Sequence, residues 1–172
     1  IQPSYLKNAI LEYFYPRLYK EKTQGHNIVI NITAIIEGIS RTETIQTEDI
    51  PEFSKYPINL PMGLFASMEM YYSIKEVPAS EARVITGIAV DDRNMSFDVI
   101  DQENRPADYE MIFLLIVQSH DINLVNESRQ VLNLQPAVLN AIKTKFREAI
   151  SEVINESVPK VVEQNKASHE YL

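Results

Sequence analysis

The stretch that most constrains this chain is Met-Ile-Phe-Leu-Leu-Ile-Val, residues 111–117, seven apolar residues without interruption. Asp108, Tyr109 and Glu110 precede it, and Gln118, Ser119, His120 and Asp121 follow at once. An apolar run this short, bounded by turn-forming residues, fits a strand better than a helix. A strand that shows no alternation is covered on both faces. The run therefore predicts the centre of an antiparallel sheet, with antiparallel neighbours on both sides.

Segments suited to be those neighbours lie nearby. In residues 66–77, Met68, Met70, Tyr72 and Ile74 fall on one face and Glu69, Tyr71, Ser73 and Lys75 on the other. That alternation predicts a strand with one face on the core and one in solvent. Residues 82–90 follow a turn at Pro78-Ala79-Ser80. Asp91 to Asn94 then reads as a tight hairpin into a strand where Met95, Phe97 and Val99 alternate with Ser96 and Asp98. Near the start, Ile28, Ile30, Ile32, Ala34 and Ile36 oppose Val29, Asn31, Thr33, Ile35 and Glu37, another half-buried strand. From Ser40 to Pro61 three prolines and no clear period predict a long polar connection.

Helices are expected at both ends. Leu6, Ile10, Phe14 and Leu18 recur at helical spacing behind Ser4 as a cap, and Pro16 is expected to end or kink that helix near Tyr15. Tyr5, Tyr13, Tyr15 and Tyr19 ring it, suited to cover a sheet or to meet a partner. Pro136 opens a longer helix with an apolar stripe of Val138, Ile142, Phe146, Ala149, Ile150, Val153, Ile154 and Val158, and Pro159 interrupts it. The order predicts a single α+β domain over residues 1–172: an antiparallel sheet of about five strands flanked by an N-terminal helix and a long C-terminal helix. The tail from about residue 160 is expected to fray.

Composition narrows the function. With 172 residues the chain can bury a core, and a formal net charge of -8 opposes phosphate backbones, so no nucleic-acid partner is expected. The densest basic group, Lys143, Lys145 and Arg147, has Glu148 and Glu152 beside it and reads as a solvated helix face. There is no cysteine, which excludes thiol chemistry and thiolate metal sites. His26, His120 and His169 lack ligand spacing, so neither metal nor cofactor is expected. No stretch reaches the roughly 20 apolar residues of a membrane span, and none resembles a signal peptide. The expectation is a chain with no membrane partner; the sequence leaves the compartment open and favours the cytoplasm only slightly. Four Asn-x-Ser/Thr sequons, at Asn31, Asn94, Asn126 and Asn155, are short matches, with Asn31 in a strand pattern and Asn155 in a helix pattern.

Motifs for chemistry are sparse. His120 and Asp121 are the one adjacent acid–base pair and the weak catalytic candidates; turn and cap roles are commoner for such residues at a strand end. No Gly-x-Ser-x-Gly elbow is present, and four glycines are too few for a phosphate cradle. Asp91, Asp92, Asp101 and Glu103 gather in turns, where oxygen ligands could hold a divalent cation, although Asp also favours turns by itself. Glu43, Glu48, Asp49 and Glu52 read as a solvated loop.

The balance favours a non-enzymatic binding or structural module acting through protein–protein contacts, as a homo-oligomer or part of a larger assembly. Phe146, Ile150 and Tyr13 are the interface candidates, with Phe146 as anchor, because a wide helical stripe can exceed what a small sheet covers. One alternative is a carrier whose Met68, Met70 and Tyr72 line a cavity for an apolar ligand under the C-terminal helix. The other is an enzyme with a site near His120.

Overall fold

In chain order the elements are helix α1 (Pro3–Thr23), strands β1 (Val29–Ile36), β2 (Ile39–Gln46), β3 (Ser54–Pro57), β4 (Phe65–Glu76), β5 (Arg83–Val90), β6 (Arg93–Ser96) and β7 (Tyr109–Ser119), and helix α2 (Pro136–Ser157). Single 3-10 turns follow β2 and β4, at Thr47–Asp49 and Ala79–Glu81. The computed structural model describes residues 3–59, 65–90, 93–96, 99, 107–119 and 136–157. Strands β3-β4-β7-β5-β6 form a five-stranded sheet in that order, and β1 and β2 form a separate two-stranded ribbon. The class is α+β.

β7 is the centre, as its unbroken apolar run requires. Met111, Phe113, Leu115 and Val117 face α2, where they meet Ile142, Phe146, Ala149, Ile150 and Val153. Ile112 and Leu114 turn the other way, onto Leu11, Tyr15, Leu18, Ile28, Ile45, Ile50 and Phe53. Residues 111–115 of β7 are wholly buried. Each such side chain stabilises the fold by roughly 1.5–3 kcal/mol relative to exposure.

One expected neighbour runs the wrong way. β4 pairs with β7 antiparallel, with Met70 opposite Leu115 and Tyr72 opposite Phe113, but β5 pairs with β7 parallel, with Val84 opposite Met111. The cause is connectivity. β4 and β5 run in opposite directions, so a strand inserted between them is antiparallel to one and parallel to the other.

α1 departs from expectation twice. It runs through Pro16 to Thr23 without ending near Tyr15. The proline removes one backbone donor, and packing offsets that cost. Tyr15, Pro16 and Leu18 are buried, and Tyr15 and Tyr19 stack edge-on against Phe53 at 5.9 and 5.2 Å. The buried stripe is Leu11, Tyr15 and Leu18, whereas Phe14 is 37% exposed. A strict four-residue step drifts by about 40° per step around a helix; alternating steps of four and three hold one face. Gly25 ends the helix. At φ 81 it adopts the left-handed conformation, and its N–H and that of His26 bond back to the carbonyls of Lys22 (3.0 Å) and Glu21 (3.1 Å).

The segment expected to be a featureless connection holds β2 and β3. β2 escaped notice because it carries Arg41 and Glu43, and Ile45 is its only buried residue. Beyond β2 the chain wraps the C-terminal half of α1. Ile50 and Phe53 are buried against it, Tyr19 donates to the Phe53 carbonyl at 3.0 Å, and Lys22 donates to the Ile50 carbonyl at 2.7 Å. Asp49 accepts from the Gln46 N–H at 2.8 Å and pairs with Lys7 at 3.3 Å, while Glu52 pairs with Lys22 at 2.9 Å. The acidic residues Asp49 and Glu52 thus tie this segment to the helix.

Candidate functional site

The residues singled out from sequence fall into three groups. His120 and Asp121, and the turn carboxylates Asp91, Asp92, Asp101 and Glu103, lie outside the described residues. Met70 is fully buried in the core under α2, and Met68 and Tyr72 are half-buried and packed against it. All three belong to the packing that also includes Ile142, Phe146 and Ile150 of α2.

Phe146 and Ile150, expected at an interface, are inside the chain's own core with exposures of 0% and 2%. The correction has a simple cause. A five-stranded sheet is wide enough to cover the stripe of α2, so those side chains have no surface to offer a partner. Tyr13 does remain accessible, and its ring meets Phe14 edge-on at 4.7 Å on the outer side of α1.

The exposed apolar surface is concentrated elsewhere. Among the described residues, the large exposed hydrophobic side chains are Tyr5, Tyr13 and Phe14 on α1, and Val29, Ile35, Ile36 and Ile39 on the β1–β2 hairpin. The two elements are neighbours, because α1 packs against both β1 and β2.

The hairpin is built by a two-residue turn. Ile36 pairs with Ile39, and Glu37 and Gly38 between them take φ 52 and 79. Two consecutive positive φ values define the turn whose twist matches the strands. Glycine adopts this backbone freely, whereas glutamate is strained there, which is why the Glu-Gly pair gave a weaker turn signal than Asn-Gly gives. The root of the hairpin sits in the core through Ile28 and Ile45. Its outer face is a polar ladder: Thr44 donates to the Asn31 side-chain oxygen at 2.9 Å, and the Thr33 and Thr42 hydroxyls meet at 3.0 Å. Toward the tip, Ile35 is 73% exposed and Ile36 and Ile39 are exposed beside it. Sequence reasoning placed Ile35 on the face opposite Ile28, Ile30 and Ile32 but missed the return strand, and with it the tip.

A polar joint fixes α1 to the five-stranded sheet. The Arg83 guanidinium donates from Nε to Glu110 at 2.9 Å and from Nη1 to Glu12 at 3.2 Å. Beside it, burial pushes the Tyr15 hydroxyl up to about 12, Arg83 opposes that rise, and the carboxylates of Glu110 and Glu12 add to it. Each group has an opposite charge or hydrogen-bond partner, and the cluster serves as a clasp between layers. No helix among the described residues is long and apolar enough to cross a membrane. Among those residues no group of three or more His, Asp or Glu is placed to hold a metal ion.

A groove of about 190 Å³ lies where β3 ends against α2, lined by Tyr56, Ile58, Lys145, Ala149 and Glu152 among others. Its rim is charged and self-satisfied: Tyr56 donates its hydroxyl to Glu152, and Lys145 pairs with Glu148 at 3.5 Å. Small-molecule sites run to roughly 300–1,000 Å³ and are mostly apolar. This groove is smaller and more polar. The neighbouring Arg147 donates to the Val99 carbonyl at 3.1 Å, so the basic group of α2 is partly engaged within the chain. Comparison with family models, with curated proteins and with solved structures finds no match for this chain.

Proposed function

We propose that this protein is a non-enzymatic contact module, a subunit of a homo-oligomer or of a larger protein assembly. The observation that carries the reading is the segregation, among the described residues, of exposed apolar side chains onto α1 and the β1–β2 hairpin. Single exposed hydrophobic residues are ordinary on any surface, but a cluster on adjacent elements marks a place where another molecule sits. The sheet and α2 act as the scaffold, and the Arg83 clasp and the wrapped 47–53 segment hold the contact elements rigidly on it.

The test is the mass of the native particle under non-denaturing conditions, measured by mass spectrometry across a concentration range. A particle containing two or more copies, or one copy with a stoichiometric protein partner, is expected. A particle of one 19.7 kDa chain with nothing bound, at every concentration, would overturn the reading.

A further inference from the structure

We propose that β1 is a self-pairing edge. Two copies of this chain join antiparallel along Val29–Ile35, about a two-fold axis at Ile32, and form one four-stranded sheet in the order β2-β1-β1-β2. The inference rests on the contact-module reading and supplies its surface and its partner.

The backbone groups are available. In a hairpin closed by two residues, the residues flanking the turn bond to each other and the pattern alternates from there. Ile36, Ala34, Ile32 and Ile30 therefore bond to their partners on β2 in the observed register. Val29, Asn31, Thr33 and Ile35 turn their N–H and C=O groups to the other edge. Among the described residues no strand pairs with that edge.

The edge also lacks the sequence devices that keep strands apart. Charged residues, prolines, bulges and shortness normally blunt an exposed edge. The five-stranded sheet obeys: its edge strands β3 and β6 have four residues each, with Lys55 and Pro57 in one and Arg93 in the other. β1 has eight residues, an unbroken register, no proline and no charge. It is the one described strand without a charged residue, in a chain whose net charge of -8 makes copies repel.

The side chains select a second copy of β1 as the occupant. Residues directly opposite in an antiparallel pair share a face. Pairing about Ile32 sets Val29 against Ile35, Ile30 against Ala34, Asn31 against Thr33 and Ile32 against its own counterpart. The sequence Val-Ile-Asn-Ile-Thr-Ala-Ile reads apolar, apolar, polar, apolar, polar, apolar, apolar from either end. Apolar meets apolar, polar meets polar, and the exposed Val29 and Ile35 cover each other. A symmetric pattern serves self-pairing and gives no advantage to an unrelated strand. A seven-residue strand pair is smaller than the roughly 1,200–2,000 Å² of tight complexes, so the dimer is concentration-dependent.

The absence of native cysteine makes the test clean. Ile32→Cys places two thiols in a non-hydrogen-bonded pair across the axis, the closer of the two antiparallel geometries, and diamide oxidation would join them. Ser40→Cys, on β2, is the control. Light scattering across a dilution series is run in parallel on wild type, Ile35→Lys and Thr33→Pro; the proline falls where the N–H faces the free edge. The expected result is a wild-type dimer at high concentration, covalent dimer from Ile32→Cys at least tenfold above Ser40→Cys, and folded monomers from both edge variants. An oligomeric wild type with no Ile32→Cys excess, or with folded edge variants that still associate, would overturn the β1 edge while leaving the contact-module reading standing. A wild type that is monomeric throughout, with no bound partner, would overturn both.

Discussion

β7 and β1 are both aliphatic strands, and the molecule treats them in opposite ways. β7 lies between two neighbours and two covering layers, so its side chains and its backbone are satisfied inside the chain. β1 has one neighbour, one covered face at its root and a bare edge among the described residues. The difference teaches that apolar sequence alone does not decide burial. Position in the strand order decides it, and β7, the last described strand in the chain, lies between two strands that precede it in sequence. Stability should therefore reside in the sheet and α2, and contact in the hairpin and α1.

The sharpest way to break this comparison is to put a charge into each strand. Leu114→Asp places an unpaired carboxylate at a fully buried position of β7 and should cost more than about 4 kcal/mol, enough to unfold many domains. Ile35→Lys, on the exposed part of β1, should shift stability by about 0.5 kcal/mol or less. Urea titrations of the two variants giving similar losses would show that the hairpin is as integral as the sheet.

Phe146→Ala tests the α2 side of the core. Truncating a fully buried aromatic ring should cost about 3–5 kcal/mol, and the loss should not depend on protein concentration. A loss that shrinks on dilution would return Phe146 to an interface.

The clasp between α1 and the sheet predicts a pH dependence. Tyr15 is held neutral in the fold, with its hydroxyl raised from 10.0 to about 12 chiefly by burial. In the unfolded chain it ionises near its ordinary value, so its contribution is intact below about pH 10 and is lost as pH rises toward about 12. That contribution is about 2–3 kcal/mol. Tyr15→Phe should flatten the alkaline decline in melting temperature, and an unchanged slope would assign it to other groups.

A small effect of the opposite sign is expected at the hairpin turn. Glu37 occupies a left-handed conformation that asparagine tolerates better. Glu37→Asn should stabilise by about 0.5–1 kcal/mol, seen as slower amide exchange in Ile36 and Ile39 before any change in the five-stranded sheet.

The sequence showed most clearly the parts where one physical constraint dominates. β7 was legible because burial on both faces leaves no polar position, and β4 because Met68, Met70, Tyr72 and Ile74 alternate against Glu69, Tyr71, Ser73 and Lys75, although Tyr71 packs against Tyr19 and Phe53 and not in solvent as expected. The α2 stripe was equally plain. β2 was not, since a strand with exposure on both faces has no apolar period to read, and only Gly38 hinted at the turn. Pro16 misled because local propensity was outweighed by the packing of Tyr15, Leu18 and Tyr19, which depends on Phe53 far along the chain. The β5–β7 pairing was hidden too, as the direction of a neighbour is a property of topology. Of the interface candidates Tyr13 alone is exposed; the hairpin isoleucines became visible with the return strand that exposes them.

The insertion of β7 also has a consequence for biosynthesis. β4 and β5 leave the ribosome first and are joined by a short segment, so their facing edges are free to close on each other as a simple hairpin. β7 follows after a few seconds at roughly 5–20 residues per second, and the native sheet requires that place to be open. A nascent chain that zips β4 to β5 must reopen before it can mature. The central strand thus makes late folding a matter of timing, and a slower β4–β5 closure should raise the yield of native protein.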